Sequence, residues 1–378
     1  MLSSWVEEPE ESMPIYMDVH IVPGVKAKDV AGAHQLDLAH QEEYACKCMT
    51  YWIDEERENV FCLIEAPGKE AVAAMHNKAH GLIPHKIIEV NSSLVESFLG
   101  RIYDPAEAEI TEDGLKVFSD PSFRVLLVAK ITDPVLLKYR LGSDRANELL
   151  DQHNTIVRNN LSLHGGREAE LGGSDFVASF ASAGKAVACA LSIQKDMHRD
   201  GVEESGIRIG ISAGEPVEKS NRLFGDAIMA ANYLSSISRK GQVAIAYPVK
   251  ELISKDHLRS KEDTIFSLAP QDEILLNSLY SKLEDNWQNP DFNVADYCQA
   301  MAMSQSQLYR KTVDLTGLSL NLLVKEFRLE KAKELMKKRR YTVSQITFDS
   351  GFTSPSYFTK CFKKKYGLLP MTYLDLLH

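Results

Sequence analysis

Hydrophobic positions repeat with different periods in different parts of the chain. Between Ile15 and Val22 apolar and polar residues alternate, which is typical of a strand with one buried face. An apolar run at 123–131 predicts a buried strand, and helical and strand patterns then alternate to about residue 246. After Pro270 the apolar spacing is helical. These patterns predict an α/β sandwich in the middle of the chain and a helical unit after it.

Breaks in the pattern give candidate domain boundaries. Glycine and proline cluster between residues 96 and 121, which indicates a connector, and Pro270 precedes the helical region. The resulting segments are an acidic tail at 1–12, a compact unit at 13–95, a connector at 96–121, a second unit at 122–269 and a third at 270–378.

The third unit contains two similar helical patterns. Ser304 is placed to cap a helix that buries Leu308, and Pro355 is placed to open a helix that buries Phe358 and Phe362. A long amphipathic stretch, 320–338, lies between them. Two helix-turn-helix units joined in this way could place two recognition helices in successive major grooves, roughly 34 Å apart. The alternative is an ordinary helical bundle with a basic surface.

The charge distribution favours the nucleic-acid interpretation. The chain has a formal net charge of −10, which taken alone argues against binding to DNA or to anionic membranes. Residues 274–378, however, carry a net charge of +5, whereas residues 1–273 carry −15. The acidic total therefore conceals a basic C-terminal unit.

Composition limits the setting in which the protein works. No apolar run approaches the ~18 residues that span a bilayer. The acidic start of the chain has the wrong charge for a signal peptide. Six cysteines are too few for a disulfide scaffold of this length. We therefore expect a cytoplasmic protein that does not contact membranes.

Residues 275–378 resemble the AraC-type DNA-binding domain. The stretches that carry the resemblance are Met303–Thr312, Arg328–Ala332 and Gly351–Lys364. The resemblance implies that outward residues of both recognition helices read bases in double-stranded DNA. Those residues are Ser306, Tyr309, Arg310, Ser356 and Lys360, while Gln305, Gln307, Lys363 and Lys364 are placed for neighbouring bases or phosphates. Thr359 lies on the same exposed helix face and is a further DNA-binding candidate.

Histidines are concentrated in the first unit. Asp18 and His20 lie on the same face of the predicted first strand. Two further pairs share a helix face, His34 with Asp37 and His76 with His80. Imidazoles, carboxylates and a thiol suit a borderline transition metal such as nickel, zinc or copper. The alternative is a set of surface histidines on amphipathic helices.

Residues 13–90 resemble a family of small nickel-binding, ferredoxin-like domains. The stretches that carry the resemblance are Met17–His20, Ala33–Asp37, Tyr51–Glu55, Phe61–Pro67 and His76–Gly81. The resemblance implies a βαββαβ fold, a tendency to dimerise and transition-metal binding, with nickel as the first candidate. The candidate ligands are His20, His34, His76 and His80, with Asp18, Asp37 and Cys62 as secondary candidates.

The second unit resembles the class III adenylyl/guanylyl cyclase domain. The resemblance lies in Gly172–Phe180, Ile207–Glu215 and Leu223–Ile228. That chemistry needs two aspartates for two Mg²⁺ ions, an Asn, an Arg and a base-reading Lys–Asp pair. The residues at those positions are Lys130, Ser174, Met229, Tyr233, Glu170 and Arg222. Asp175 is displaced by one residue from the second metal position, and a shift by one would turn the strand over. We expect a unit without cyclase activity that dimerises or binds another ligand.

The sequence thus predicts a multidomain α+β protein, with two ferredoxin-like α/β sandwich domains followed by an all-α double helix-turn-helix domain. The expected function is a non-enzymatic, DNA-binding transcription regulator that senses a signal, pairs as a homodimer and contacts RNA polymerase. Two alternatives stay open. One is an active nucleotide cyclase with a DNA-binding domain, and the other is a regulator that senses a nucleotide or small molecule through the middle unit.

Overall fold

The computed structural model describes residues 13–112, 114–171, 175–202, 206–239, 241–253 and 264–377. The strands are β1 Ile15–Ile21, β2 Lys47–Asp54, β3 Asn59–Glu65, β4 Lys86–Val90, β5 Glu109–Ile110, β6 Lys116–Val117, β7 Arg124–Lys130, β8 Arg167–Ala169, β9 Phe176–Phe180, β10 Arg208–Gly214, β11 Val243–Ile245 and β12 Ile265–Ser267. The helices are α1 Ala27–His40, α2 Lys69–Ala79, α3 Ser92–Leu99, α4 Pro134–Leu141, α5 Ser143–Leu163, α6 Ala183–Arg199, α7 Gly225–Ile237, α8 Tyr247–Glu251, α9 Pro270–Asn286, α10 Val294–Met301, α11 Gln305–Thr316, α12 Leu320–Lys337, α13 Val343–Asp349, α14 Pro355–Tyr366 and α15 Pro370–Asp375. The expected acidic tail, 1–12, lies outside the described residues.

The first sheet has the antiparallel strand order β2-β3-β1-β4. Alternation along β1 places Tyr16, Asp18 and His20 on the face toward α1 and α2, and Met17 and Val19 on the other face. The helix-side face forms a core with Val30 of α1 and with residues of α2. Strand β1 therefore has one face of mixed polarity, which α1 and α2 cover, and one apolar face, which is free to pack against another part of the protein.

The second sheet repeats this succession of strands. Its order is β12-β11-β10-β7-β9-β8, and β7, β8, β9 and β10 follow the same relative order as the four strands of the first sheet. The pairs β10–β11 and β11–β12 are parallel, while the others are antiparallel. Apolar residues point to both faces of β7, as the continuous hydrophobic run predicts for a buried strand.

The two sheets share a hydrophobic core. Met17 and Phe61 from the first sheet belong to one buried cluster with Leu126 and Val128 of β7 and with Phe224 beside α7. Helix α3 contributes Val95, Phe98 and Leu99 to the same cluster. The first and second units are therefore packed against each other through apolar surface, which stabilises their relative placement at about 25 cal/mol per Å² buried.

The C-terminal region is helical and carries strong local start signals. Asn293, Ser304 and Thr342 form capping boxes at α10, α11 and α13, and Ser354 caps α14, which begins at Pro355. Helices α9 to α11 and the first part of α12 extend the core of the second unit. The end of α12 forms a separate cluster with α13, α14 and α15. The long helix α12 thus connects two helical subdomains. None of the described helices is long and apolar enough to cross a bilayer.

Candidate functional site

The first candidate site lies between the first sheet and its two helices. Asp18 of β1 is the register partner of Cys62 on β3. His76 of α2 projects between Asp18 and Asp37 of α1, with Nε2 2.8 Å from Asp18 Oδ2 and Nδ1 3.0 Å from Asp37 Oδ1. His80 Nε2, one turn along, lies 3.1 Å from His76 Nδ1. The structure therefore brings together side chains from two strands and two helices.

Burial and charge are balanced around His76, which has no solvent exposure. Burial would lower the pKa of its imidazole, but the neighbouring Asp18 and Asp37 raise that pKa to about 10. Burial would conversely raise the pKa of Asp18, but His76 and His20 hold it well below the usual range. Burial and nearby carboxylates raise the pKa of the Cys62 thiol. Without another cation, the site holds a buried imidazolium between two carboxylates.

One buried nitrogen in this site has no hydrogen-bond partner. His20 is 4% exposed, and its Nε2 is unpartnered although it lies 3.4 Å from Asp18 Oδ1. A buried polar atom of this kind costs roughly 1–3 kcal/mol unless something else satisfies it. Asp18, His20, Cys62 and His76 offer donor atoms within 4.8 Å of one another. A metal ion would satisfy that nitrogen.

The seven candidate ligands do not all converge. Six belong to two groups that could each hold an ion, namely Asp18, His20, Cys62 and His76, and Asp37, His76 and His80. His34 belongs to neither group. It lies 3.7 Å from Asp104 Oδ2 and packs edge-on against the Tyr51 ring. Asp104 lies in the expected connector, and sequence spacing gave no signal for its contact with His34.

The second candidate site is the solvent face of α11 and α14. Leu308, Phe358 and Phe362 are buried, as their spacing predicts. The predicted outward residues are solvent-exposed except Thr359, which is half-buried; the exposed ones are Gln305, Ser306, Gln307, Tyr309, Arg310, Ser356, Lys360, Lys363 and Lys364. The two helices therefore present amide, hydroxyl and cationic groups to solvent.

The positions that cyclase chemistry would use are filled by other groups. Lys130, at the end of β7, donates through Nζ to the Asn232 carbonyl at 3.3 Å and to Ser236 Oγ at 3.2 Å. Tyr233 is buried and stacks on Tyr280 of α9, with ring centroids 4.5 Å apart. A lysine at a metal position repels a cation, and Tyr233 is covered by the C-terminal region. Ser174, the residue at the second metal position, lies outside the described residues.

Comparisons with known families agree with the sequence patterns. Residues 297–375 match the family model described as a helix-turn-helix domain. The C-terminal unit is an AraC-type helix-turn-helix domain. Residues 16–90 match the model described as nickel responsive protein SCO4226-like.

Curated relatives share parts of this chain. Histidine kinase P4 of Formosa agariphila is 36% identical over 117 residues, which are 31% of this chain and 8% of that protein. The HTH-type transcriptional regulator MtrA of Neisseria gonorrhoeae is 33% identical over 99 residues, 26% of this chain and 31% of MtrA. The chain thus spans less than a third of the length of either relative.

Two solved structures are similar to parts of this chain. SCO4226 from Streptomyces coelicolor A3(2) is 34% identical over 20% of this chain and 94% of its own, with a TM-score of 0.20. An adenylate/guanylate cyclase/hydrolase from Silicibacter pomeroyi is 26% identical over 34% of this chain and 78% of its own, with a TM-score of 0.29.

A buried carboxylate of the second unit also contacts the AraC-type domain. Asp133 caps α4 through Oδ1, while its Oδ2 accepts from the Tyr373 hydroxyl at 2.8 Å and from Lys333 Nζ at 3.3 Å. Burial would raise the pKa of Asp133, but Lys333 and Lys337 lower it below its usual value. Asp133 therefore links α4 to α12 and α15 of the AraC-type domain.

A second link joins the first and second units. Lys86 on β4 donates through Nζ to the carbonyl oxygens of Glu218, Lys219 and Ser220, at distances of 2.6 to 2.8 Å. Neither Lys86 nor Asp133 stands out in the sequence, because the residues that each of them contacts lie far away along the chain.

Proposed function

We propose that this protein is a sequence-specific, non-enzymatic transcription regulator that binds double-stranded DNA through its AraC-type domain. The observation that carries the proposal is the pair of capped helices, α11 and α14, whose outward polar side chains are exposed to solvent. Arg310 and Lys360 are suited to guanine edges, and Ser306, Tyr309 and Ser356 supply hydroxyl groups. The neighbouring Gln305, Gln307, Thr359, Lys363 and Lys364 supply contacts to phosphates or adjacent bases.

The experiment is selection of genomic fragments by the full chain. We expect enrichment of a sequence with two half-sites about one helical turn apart, because two recognition helices then enter successive major grooves. Recovery of fragments without a shared sequence would contradict specific recognition. Added Ni²⁺ and added nucleotides form separate arms of the selection, so the same experiment shows which signal changes binding.

The first unit is proposed to sense a transition metal, with nickel as the first candidate. The residues present fit such an ion. Two imidazoles, a carboxylate and a thiol converge, and His20 Nε2 is buried without a partner. Nitrogen and sulfur donors favour nickel, zinc or copper over magnesium or calcium. A metal bound there would supply charge to the site and cross-link β1, β3 and α2.

The second unit is proposed to be a ferredoxin-like, cyclase-derived domain that couples sensing to DNA binding. Its contacts support this role, because the first unit packs on one face of its sheet and Asp133 and Tyr233 contact the C-terminal region. A signal would act only through different affinities for DNA-competent and DNA-incompetent arrangements. We further propose a cytoplasmic homodimer that contacts RNA polymerase when bound to its operator.

A further inference from the structure

Two groups of ligand-type side chains in the first unit share one imidazole. His76 is the only residue common to the two groups found among the described residues. Its Nε2 faces Asp18, and its Nδ1 faces Asp37 and His80. The two nitrogens of one ring therefore point into different groups.

The Asp37 group already has the spacing of ligands around a single ion. Asp37 Oδ1, His76 Nδ1 and His80 Nε2 are separated from one another by 3.0, 3.1 and 3.2 Å. Ligand atoms about 2.1 Å from a metal ion stand roughly 3.0–3.4 Å apart in octahedral or tetrahedral geometry. A cavity of about 80 Å³ borders Asp37 and His80. That space admits water molecules as the remaining ligands.

The Asp18 group has an independent sign of a missing partner. His20 Nε2 is buried and unpartnered, and His20 belongs to the group with Asp18, which His76 faces through Nε2. The ring of His20 packs edge-on against that of His76, with centroids 4.9 Å apart. Cys62 offers a thiol to the same group. This half of the site therefore has its own donor set and does not need Asp37 or His80.

We propose that the first unit binds two transition-metal ions bridged by His76, one on each ring nitrogen. This inference rests on the proposed metal binding and adds the number of ions and their linkage. An ion on each nitrogen of one ring places the two metals roughly 6 Å apart, given metal–nitrogen bonds of about 2.0 Å. Both ring protons of His76 and the thiol proton of Cys62 pass to the buffer on binding.

Binding at the Asp37 group also changes a local contact. His80 Nδ1 accepts a hydrogen bond from the Leu82 backbone N–H at 3.2 Å. A metal on Nε2 requires the proton of a neutral imidazole to sit on Nδ1, so this bond must break. The second ion therefore alters the backbone just after α2, where Leu82 and Ile83 are exposed.

The test is metal stoichiometry in the full chain. Metal-free protein is titrated with Ni²⁺, and bound metal is counted by elemental analysis after gel filtration. We expect two ions per chain for the unmodified protein, and one ion per chain for His80→Ala and for Cys62→Ala. His76→Ala should bind metal at least tenfold more weakly at both the Asp18 group and the Asp37 group. His40→Ala, in which a histidine outside both groups is removed, should still bind two.

The outcomes separate this inference from the metal proposal. One ion per chain, unchanged in His80→Ala, would overturn the bridge and leave a single metal site. Absence of binding would remove both proposals. Two ions that both persist at unchanged affinity in His76→Ala would show independent sites.

A spectroscopic arm avoids dependence on the folding of His76→Ala. Protein loaded with Cu²⁺ should lose much of its electron paramagnetic resonance signal when the second equivalent binds, because a bridging imidazolate couples the two unpaired electrons. His80→Ala should keep the full signal of one isolated ion. A signal that doubles with the second equivalent would refute the bridge.

Discussion

Asp133 offers the sharpest prediction, because one carboxylate joins the second unit to the AraC-type domain. Asp133→Asn keeps an oxygen that can cap α4 at the Val135 N–H, since asparagine caps helices as well as aspartate does. It removes the charge that Lys333 and the Tyr373 hydroxyl contact, and it turns an amide NH₂ toward both donors. The substitution thus isolates the inter-unit contact from the helix cap.

The cost follows from burial. The Asp133 side chain is 5% exposed and that of Lys333 is 10%, so solvent screens the pair little. Removing one partner of a buried ion pair costs roughly 3–5 kcal/mol, and a hydrogen bond to a charged group contributes about 1.5–3 kcal/mol. Lys333 retains Glu330 at 2.9 Å, which offsets part of the loss. We therefore expect a loss of about 2–4 kcal/mol.

Hydrogen exchange at the backbone amides of α12 to α15 measures this loss locally. Because about 1.4 kcal/mol corresponds to a factor of ten, exchange through local opening should be faster by roughly 30-fold to several hundred-fold. Asp144→Asn is the control, since Asp144 is an exposed aspartate in the first turn of α5 and should change the free energy by less than about 1 kcal/mol. Exchange within twofold of the unmodified protein in Asp133→Asn would show that the Asp133 carboxylate does not stabilise these helices.

Three further predictions concern the second unit. Burial raises the pKa of Glu215 to about 7, so the folded protein loses stability as pH rises through 7 and this carboxyl ionises. Glu215→Gln should therefore raise the free energy of unfolding by roughly 1–3 kcal/mol at pH 8 and change it little at pH 5. Urea unfolding at the two pH values measures the difference. In Gly210→Ala the new methyl group would overlap the Ala231 carbonyl oxygen where β10 crosses α7, so soluble yield and melting temperature should fall sharply. Gly184→Ala in α6 is the control, because there is space for a methyl group there and neither quantity should fall. Purified protein with ATP or GTP and Mn²⁺ should form no cyclic nucleotide, and turnover would restore the enzyme alternative.

Local sequence patterns predicted the elements of the functional regions well. Alternation in β1 placed Asp18 and His20 on the helix-covered face, and Ser304 and Pro355 marked the starts of α11 and α14. The helical spacing of His76 and His80 also brought the two imidazoles to one site. These features depend on periodicity and on capping chemistry, which are properties of short segments.

Contacts between distant segments could not be predicted in the same way. His34 shares a helix with Asp37 but turns to Asp104, because a connector residue packs against that part of α1. Asp133 meets Lys333, 200 residues away, only because the AraC-type domain docks on α4. Such pairings depend on strand register and on the packing of whole units, for which one sequence gives no spacing signal.

Sequence-specific DNA recognition by α11 and α14 is measured by a mobility-shift titration of the full chain at fixed salt, on the selected operator and on a scrambled duplex. Arg310→Ala and Lys360→Ala should each lose about 1–3 kcal/mol of preference for the operator, which is roughly 5- to 150-fold in affinity ratio, with melting temperatures unchanged. Lys195→Ala, an exposed lysine on α6, should bind like the unmodified protein. An unchanged operator preference in both Arg310→Ala and Lys360→Ala would show that α11 and α14 do not read the operator sequence.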